Sequence, residues 1–184
     1  MKTRVICVDL DGTLSDENER RHLRPAAGSP LSLWANFHEA CGQDRPLLSV
    51  VILIQALATD FQIHIISGRW EKMRPTTEAW LARHHVPYDA LRLYTPADTP
   101  AKNYTYKVCY VEQLRAQGLN PILFIENEPI TAQYIEERGI LPVLCVQPGY
   151  IVTTDTPQHA SDMPDAYRAC PDRLSGTKQT IGRY

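Results

Sequence analysis

The stretch Arg4-Val5-Ile6-Cys7-Val8-Asp9-Leu10-Asp11-Gly12-Thr13-Leu14 decides how the rest of the chain is read. Val5 to Val8 is an unbroken apolar run rich in β-branched residues, the mark of a strand buried on both faces of a parallel sheet. Two carboxylates follow at once, Asp9 and Asp11, and Gly12 permits the tight turn that takes the chain off the strand end. Acids so placed lie at the carboxyl edge of a sheet, where open α/β folds bind ligands. A bare Asp-x-Asp is as often a solvated strand end before an ordinary turn. The apolar strand leading into Asp-x-Asp-Gly-Thr-Leu is what favours a site.

Outward from this stretch, the pattern of buried strand and helix repeats. Phe61-Gln62-Ile63-His64-Ile65-Ile66-Ser67-Gly68-Arg69 reads as a second buried strand that ends in a hydroxyl, a glycine and a guanidinium fork suited to phosphate oxygens. His64 alternates within it and reads as a packed residue. Tyr88 to Tyr94 is a third strand, interrupted by Asp89 and Arg92. Pro121-Ile122-Leu123-Phe124-Ile125-Glu126-Asn127-Glu128-Pro129 is a fourth, terminating in acids, and Leu141 to Val146 is a fifth.

Helices are expected between them. The first runs from Pro46 to about Thr59; Val50 to Leu57 is apolar nearly all round, which predicts deep packing. The second covers Pro75 to His85, with Ala79, Trp80 and Leu81 facing inward. After a loop from Thr95 to Asn103, a third starts at Lys107 and stops at Gly118, and a fourth spans Pro129 to Arg138 before Gly139. A lysine at a helix start opposes the macrodipole, so Lys107 is expected to do more than decorate the surface.

Two segments break the pattern. Ser15 to Arg45 begins charged, passes through a Pro/Gly/Ser loop at Pro25 to Pro30, and then offers a short amphipathic helix with Leu31, Leu33, Trp34 and Phe37. Residues 151–184 carry Thr, Asp, Pro, Ser and Gly without periodicity and read as an irregular tail. One domain over 1–150, with a small insertion at 15–45, is the expected organisation.

Composition bounds the function. A chain of 184 residues, 43% hydrophobic and 22% charged, is long enough for one well-formed core. A net charge of −2 gives no global basic footprint, so contact with nucleic acid has to be local. The odd count of five cysteines, without Cys-x-x-Cys spacing, predicts reduced core thiols rather than a disulfide framework or zinc site. No apolar run reaches spanning length and no signal-type segment precedes the first strand, so no membrane association and a cytoplasmic location are expected.

Taken in order, Asp9-Leu10-Asp11-Gly12-Thr13-Leu14, Ser67-Gly68-Arg69, Lys107 and Glu126-Asn127 resemble the four motifs of the haloacid dehalogenase-like (HAD) phosphatases. The resemblance implies an α/β, Rossmann-like three-layer fold with a central parallel sheet and a small cap insertion after the first strand. It implies Asp9 as nucleophile, Asp11 as general acid/base, Ser67 and Lys107 at the transferring phosphoryl group, and backbone N–H groups around Asp11, Gly12 and Thr13 as further donors. Mg²⁺ would be held by Asp9, Asp11, Glu126 and Asn127, with Glu128 as an alternate. Carboxylates suit these roles: one can form an aspartyl-phosphate, a second can move the leaving group's proton, and oxygen ligands match Mg²⁺.

Within that superfamily, residues 3 to 150 are similar to the 3′-phosphatase domain of bacteriophage-type polynucleotide kinase/phosphatases. The likeness rests on the short charged segment, the Trp34/Phe37 helix, Ser67-Gly68-Arg69, Thr77-x-x-Trp80-Leu81 and the late Lys107. It implies substrate-binding roles for Arg20, Gly68 and Arg69 beside Gly12 and Thr13. The chain departs from that family at Asn103, where an acid is usual, and at Glu126-Asn127, where aspartates are usual. The implied activity is Mg²⁺-dependent hydrolysis of a phosphomonoester on a nucleic-acid end or nucleotide, foremost a 3′-phosphate. A 5′(3′)-nucleotidase or other small-metabolite phosphatase is the alternative within the superfamily, and a non-catalytic binding protein the alternative outside it.

Overall fold

The computed structural model describes residues 2–26, 29, 31–95 and 103–146, all within one compact unit, Met1–Pro148. The loop expected around 96–102 and the tail with Cys170 lie outside the described residues.

Strand β1 (Arg4–Val8) is the middle of a five-stranded parallel sheet. β4 (Gln62–Trp70) and β5 (Ala90–Tyr94) extend it on one side, β6 (Asn120–Glu126) and β7 (Val143–Cys145) on the other, giving the order β5-β4-β1-β6-β7. The chain therefore reverses its direction of travel at β1, and such a switch point opens a crevice at the carboxyl ends of the strands.

The alternation of a strand explains why four apolar residues in a row belong there. Ile6 and Val8 face one way, into a core completed by α2 (Leu48–Leu57) and α3 (Arg74–Arg83) through Val50, Val51, Ile54, Trp80 and Leu81. Val5 and Cys7 face the other, against α4 (Asn103–Ala116) and α5 (Pro129–Glu137) through Tyr106, Val111, Leu114 and Ile135. These are the three layers of the expected α/β architecture, and β1 serves both cores.

Register carries the strand ends to one edge. Val8 is level with Ile65 of β4 and Ile125 of β6, and the Asp9 N–H donates to the Ile125 carbonyl at 2.9 Å. Asp9, Ser67 and Glu126 consequently sit within one or two residues of a common line.

Between β1 and α2 the chain makes an excursion. Its ends are zipped by two-residue strands, β2 (Ser15–Asp16) and β3 (Arg45–Pro46), which pair antiparallel, and the Leu47 N–H donates to the Leu14 carbonyl. Between them lie 3-10 turns at Asn18–Leu23, Leu31–Trp34 and Ala40–Gln43, and the five-residue helix α1 (Ala35–Glu39).

Several expectations are corrected. Pro46 sits in β3 and α2 begins at Leu48, because the strand pairing with Ser15 claims the residues that were expected to open the helix. α2 is not buried all round: Leu48 and Ile52, one turn apart, are 64% and 62% exposed. Ala79 is exposed, while Trp80 and Leu81 are buried. α4 starts four residues before Lys107, which stands in the second turn, so the macrodipole argument for that lysine does not apply. Cys7 and Cys41 are buried thiols, but Cys109 and Cys145 are exposed. Among the described residues, no helix is long and apolar enough to cross a membrane.

Candidate active site

The turn after β1 is built around one carbonyl. Leu10 O accepts the N–H groups of Thr13, Leu14 and Ser15, and the Gly12 N–H donates to Ser15 O at 2.8 Å. Gly12 takes a left-handed φ of +84°, and a Cβ there would meet Asn127 Nδ2 at 2.2 Å. Glycine is thus required twice, for the turn and for the close approach of the β6 end. Gly12→Ala is expected to lose about 1–2 kcal/mol of stability from backbone strain alone, more with the displacement of Asn127, and urea denaturation checks it. The N–H groups of Gly12 and Thr13 are spent inside the turn, so the expectation that they face a substrate is not met.

Lys107 is the pivot of the site. Fully buried, it donates to Asp9 Oδ1 at 2.8 Å and to Glu126 Oε2 at 2.6 Å. Burial alone would lower its proton affinity, but Asp9 and Glu126 outweigh it and hold the ammonium above its ordinary value. For Asp9 the balance goes the other way: burial, relieved only in part by Lys107, pushes its carboxyl up to about 7. One ammonium faces two buried carboxylates, and the pair retains the excess negative charge.

Asp11 occupies a different environment. Its Oδ1 accepts from Arg20 Nη2 at 2.5 Å, Arg69 Nη2 at 2.6 Å and Ser15 Oγ at 3.1 Å. Burial would raise this carboxyl, yet Arg69 and Arg20 hold it well below the carboxylate range. The same two arginines converge on Asp44, at 2.8 Å from Arg20 and 3.3 Å from Arg69. Arg20, Arg69 and Asp44 are all buried, and Arg20 also stacks on the Phe37 ring at 4.1 Å. Asp44 is the functional neighbour that the sequence does not announce. It stands 24 residues from Arg20, next to an unremarkable Arg-Pro, and only the return of the excursion brings it back.

Arg20 and Arg69, expected at the substrate phosphate, are therefore placed on Asp11 instead. Ser67 is buried beneath them; its Oγ accepts the Arg69 N–H at 3.1 Å, which leaves the hydroxyl's own proton to be donated.

The donor set can be tested against a magnesium ion. Both Glu126 oxygens are engaged, Oε2 by Lys107 and Oε1 by the N–H groups of Asn127 and Glu128, each at 3.0 Å. Both Asp11 oxygens are engaged by the arginines. These two side chains are thus held by cations and N–H groups, and among the described residues no three His, Cys, Asp or Glu side chains cluster as a metal site. Asp9 Oδ2 and Asn127 Oδ1 remain. Both lie 3.2 Å from the Thr13 hydroxyl, whose single proton can satisfy only one of them. Two hard oxygens sharing one donor fit Mg²⁺, which commonly takes one or two protein oxygens and completes its shell with water and substrate phosphate.

These groups open onto a cleft of about 620 Å³. Asp9, Asp11, Ser67 and Gly68 form its floor, and Trp34, Phe37 and His38 of the excursion form one wall. Burial pushes the His38 imidazole down to about 4, so that wall is uncharged near neutrality.

Sheet order, strand-end acids and excursion together define a haloacid dehalogenase-like fold. The solved structures agree. A chain of the Pnkp1/Rnl/Hen1 complex superposes with a TM-score of 0.61 at 21% identity, over 78% of this chain and 46% of that one. The class C acid phosphatase from Bacillus anthracis gives 0.56 at 15% identity, over 81% and 68%. The YfnB protein from Bacillus subtilis, described as a HAD-hydrolase bound to magnesium, gives 0.59 at 10% identity, over 83% and 92%. The chain spans less than half the length of the chain that it matches in the Pnkp1/Rnl/Hen1 complex. No family model matches the sequence, and no curated protein does.

Proposed function

We propose that this chain is a phosphomonoesterase that forms an aspartyl-phosphate on Asp9, depends on Mg²⁺, and acts on a nucleic-acid 3′-phosphate. The observation that carries the reading is the convergence of Asp9, Asp11 and Ser67, from the turn after β1 and the end of β4, on one cleft at the carboxyl edge of the sheet, with Lys107 of α4 buried behind Asp9 and bonded to it. Magnesium bound at Asp9 and Asn127 would supply charge neutralisation for two anions brought together.

The chain's own groups divide the remaining work. The Asp9 carboxylate attacks phosphorus, and the bond from phosphorus to the leaving oxygen breaks. Lys107 donates to Asp9 and Glu126 and holds the nucleophile in place, and the Ser67 hydroxyl proton is free for the phosphoryl oxygens. Glu126 acts through Lys107 rather than on the metal. Asp11, ionised between its arginines, takes the proton from the water that hydrolyses the aspartyl-phosphate. Held well below the carboxylate range, Asp11 does not keep that proton between turnovers, and the leaving oxygen takes its proton from solvent. Arg20, Arg69 and Asp44 position Asp11, and the excursion at 15–45 serves as the cap.

The 3′-phosphate assignment draws on the resemblance to the polynucleotide phosphatases. It is supported by the likeness to a chain of a complex described as acting in RNA repair. The test is phosphate release from a short single-stranded oligonucleotide with a 3′-phosphate, beside a 5′-phosphate oligonucleotide and a mononucleotide, with and without Mg²⁺. Faster release from the 3′ end, only with Mg²⁺, is expected. Preference for the mononucleotide would replace this reading with a nucleotidase.

A further inference from the structure

Beside its acidic floor the cleft is aromatic. Trp34 and His38, from the excursion, and Trp70, at the end of β4, stand in a row: ring centroids are 6.1 Å apart between Trp34 and His38 and 4.9 Å between His38 and Trp70. Phe37 braces the row, edge-on to Trp34 at 5.7 Å and to His38 at 5.7 Å. Phe37 and His38 are buried, so the row has a fixed backing.

The three tryptophans of the chain are used differently. Trp80 is fully buried, its Nε1–H donating to the Asp44 carbonyl at 2.7 Å, and belongs to the core. Trp34 and Trp70 are half-buried and line the cleft. Core packing accounts for the first and leaves the open area of the other two unexplained.

Cations stand around these two rings. Lys72 Nζ lies 4.7 Å over the Trp70 ring and pairs with Glu39 at 3.1 Å, and the Arg24 guanidinium is 6.0 Å from Trp34 and pairs with Glu17 at 3.4 Å. Arg21 lines the same cleft. Exposed cation–π contacts of this kind are worth about 0.5–1 kcal/mol, so such side chains leave a ring readily for a phosphate.

We propose that the Trp34–His38–Trp70 row is a stacking subsite for the unpaired base of a terminal nucleotide, with Arg21, Arg24 and Lys72 meeting the adjoining backbone phosphates. The proposal rests on the phosphatase reading of the floor, since it places the base beside the phosphate that Asp9 attacks. Every base offers a π-face, and stacking on an aromatic side chain contributes about 1–3 kcal/mol without sequence preference. A base within a duplex has both faces covered by its neighbours, so the subsite selects single-stranded ends. The cleft volume lies within the range of about 300–1,000 Å³ that takes a small ligand.

The experiment compares the full chain with Trp70→Leu, Trp34→Leu and Trp70→Tyr. The probes are a 3′-phosphorylated single-stranded oligonucleotide, the same strand ending in an abasic nucleotide, a mononucleotide and inorganic phosphate. Tryptophan fluorescence reports Trp34 and Trp70, because Trp80 is sealed from solvent. Base-bearing strands are expected to quench it, the abasic strand far less, and inorganic phosphate not at all.

In turnover, Trp70→Leu is expected to raise KM for the base-bearing end about tenfold with kcat within twofold. Trp70→Tyr is expected to restore it, and neither change should alter KM for the abasic end. Equal affinity of the full chain for base-bearing and abasic ends, or variants that change kcat alone, would overturn the stacking subsite while leaving the phosphatase standing. No phosphate release from any substrate would remove the phosphatase reading, and the quenching pattern would then decide the subsite by itself. A mononucleotide bound as tightly as the strand would overturn the role given to Arg21, Arg24 and Lys72.

Discussion

Asp9→Asn is expected to reduce phosphate release by about 10⁴-fold or more, as removal of a catalytic nucleophile does, and at the same time to raise the melting temperature in metal-free buffer. The two effects have one cause. Asp9 is nine-tenths buried, and the single ammonium of Lys107 is shared with Glu126. Burial pushes the Asp9 carboxyl from its ordinary 3.8 up to about 7. A carboxyl whose folded value is raised binds its proton more tightly in the folded than in the unfolded chain. Stability from this group is therefore complete below about pH 4 and is lost progressively as pH climbs to about 7. Asparagine keeps the shape and removes that loss. Thermal melts in EDTA at pH 5 and pH 8 check the argument: the variant's advantage is expected to be larger at pH 8. A variant less stable than the parent at pH 8 would show that the ion pair with Lys107 outweighs the desolvation of Asp9.

The conflict between stability and placement also explains which parts of the molecule were legible in its sequence. β1, β4 and β6 are buried on both faces, so their apolar runs could be read directly, and Asp9, Ser67 and Glu126 followed as the residues where those runs stop. What the sequence concealed is how side chains share partners across the fold. Glu126 reads as a metal ligand because it is an acid at a strand end, yet Lys107 and two backbone N–H groups claim its oxygens. Arg20 and Arg69 read as phosphate ligands because guanidinium suits phosphate; the same fork suits a carboxylate, and Asp11 and Asp44 are nearer. Asp44 itself carried no local signal. Its significance depends on β2 and β3 closing the excursion, a pairing of two residues on each side that no periodicity reveals. The aromatic row was hidden only in part: Trp70 stands out in sequence as the tryptophan beside Arg69 at a strand end, but only the fold seals Trp80 and leaves Trp34 and Trp70 half open.

Lys107→Met carries the largest expected effect on stability. The side chain is fully buried with Asp9 6% and Glu126 0% exposed around it, so its removal leaves two carboxylates in the interior without their counter-ion. Stripping one partner from a buried pair costs about 3–5 kcal/mol, and here the loss leaves two acids in mutual repulsion. The variant is expected to lie at the upper end of that range by urea denaturation at pH 8, and to recover in part on acidification as Asp9 takes up a proton. Neutralising the acids as well supplies the control. In the triple variant Asp9→Asn, Glu126→Gln, Lys107→Met no charge is left to desolvate, and it is the uncompensated buried charge that makes loss of one partner costly. Most of the lost stability is therefore expected to return, with no return of phosphate release. That separation would assign the buried charges of Asp9, Lys107 and Glu126 to chemistry rather than to holding the fold. A triple variant as unstable as Lys107→Met would instead make the lysine's packing, and not its charge, the reason for its place at the centre of the sheet edge.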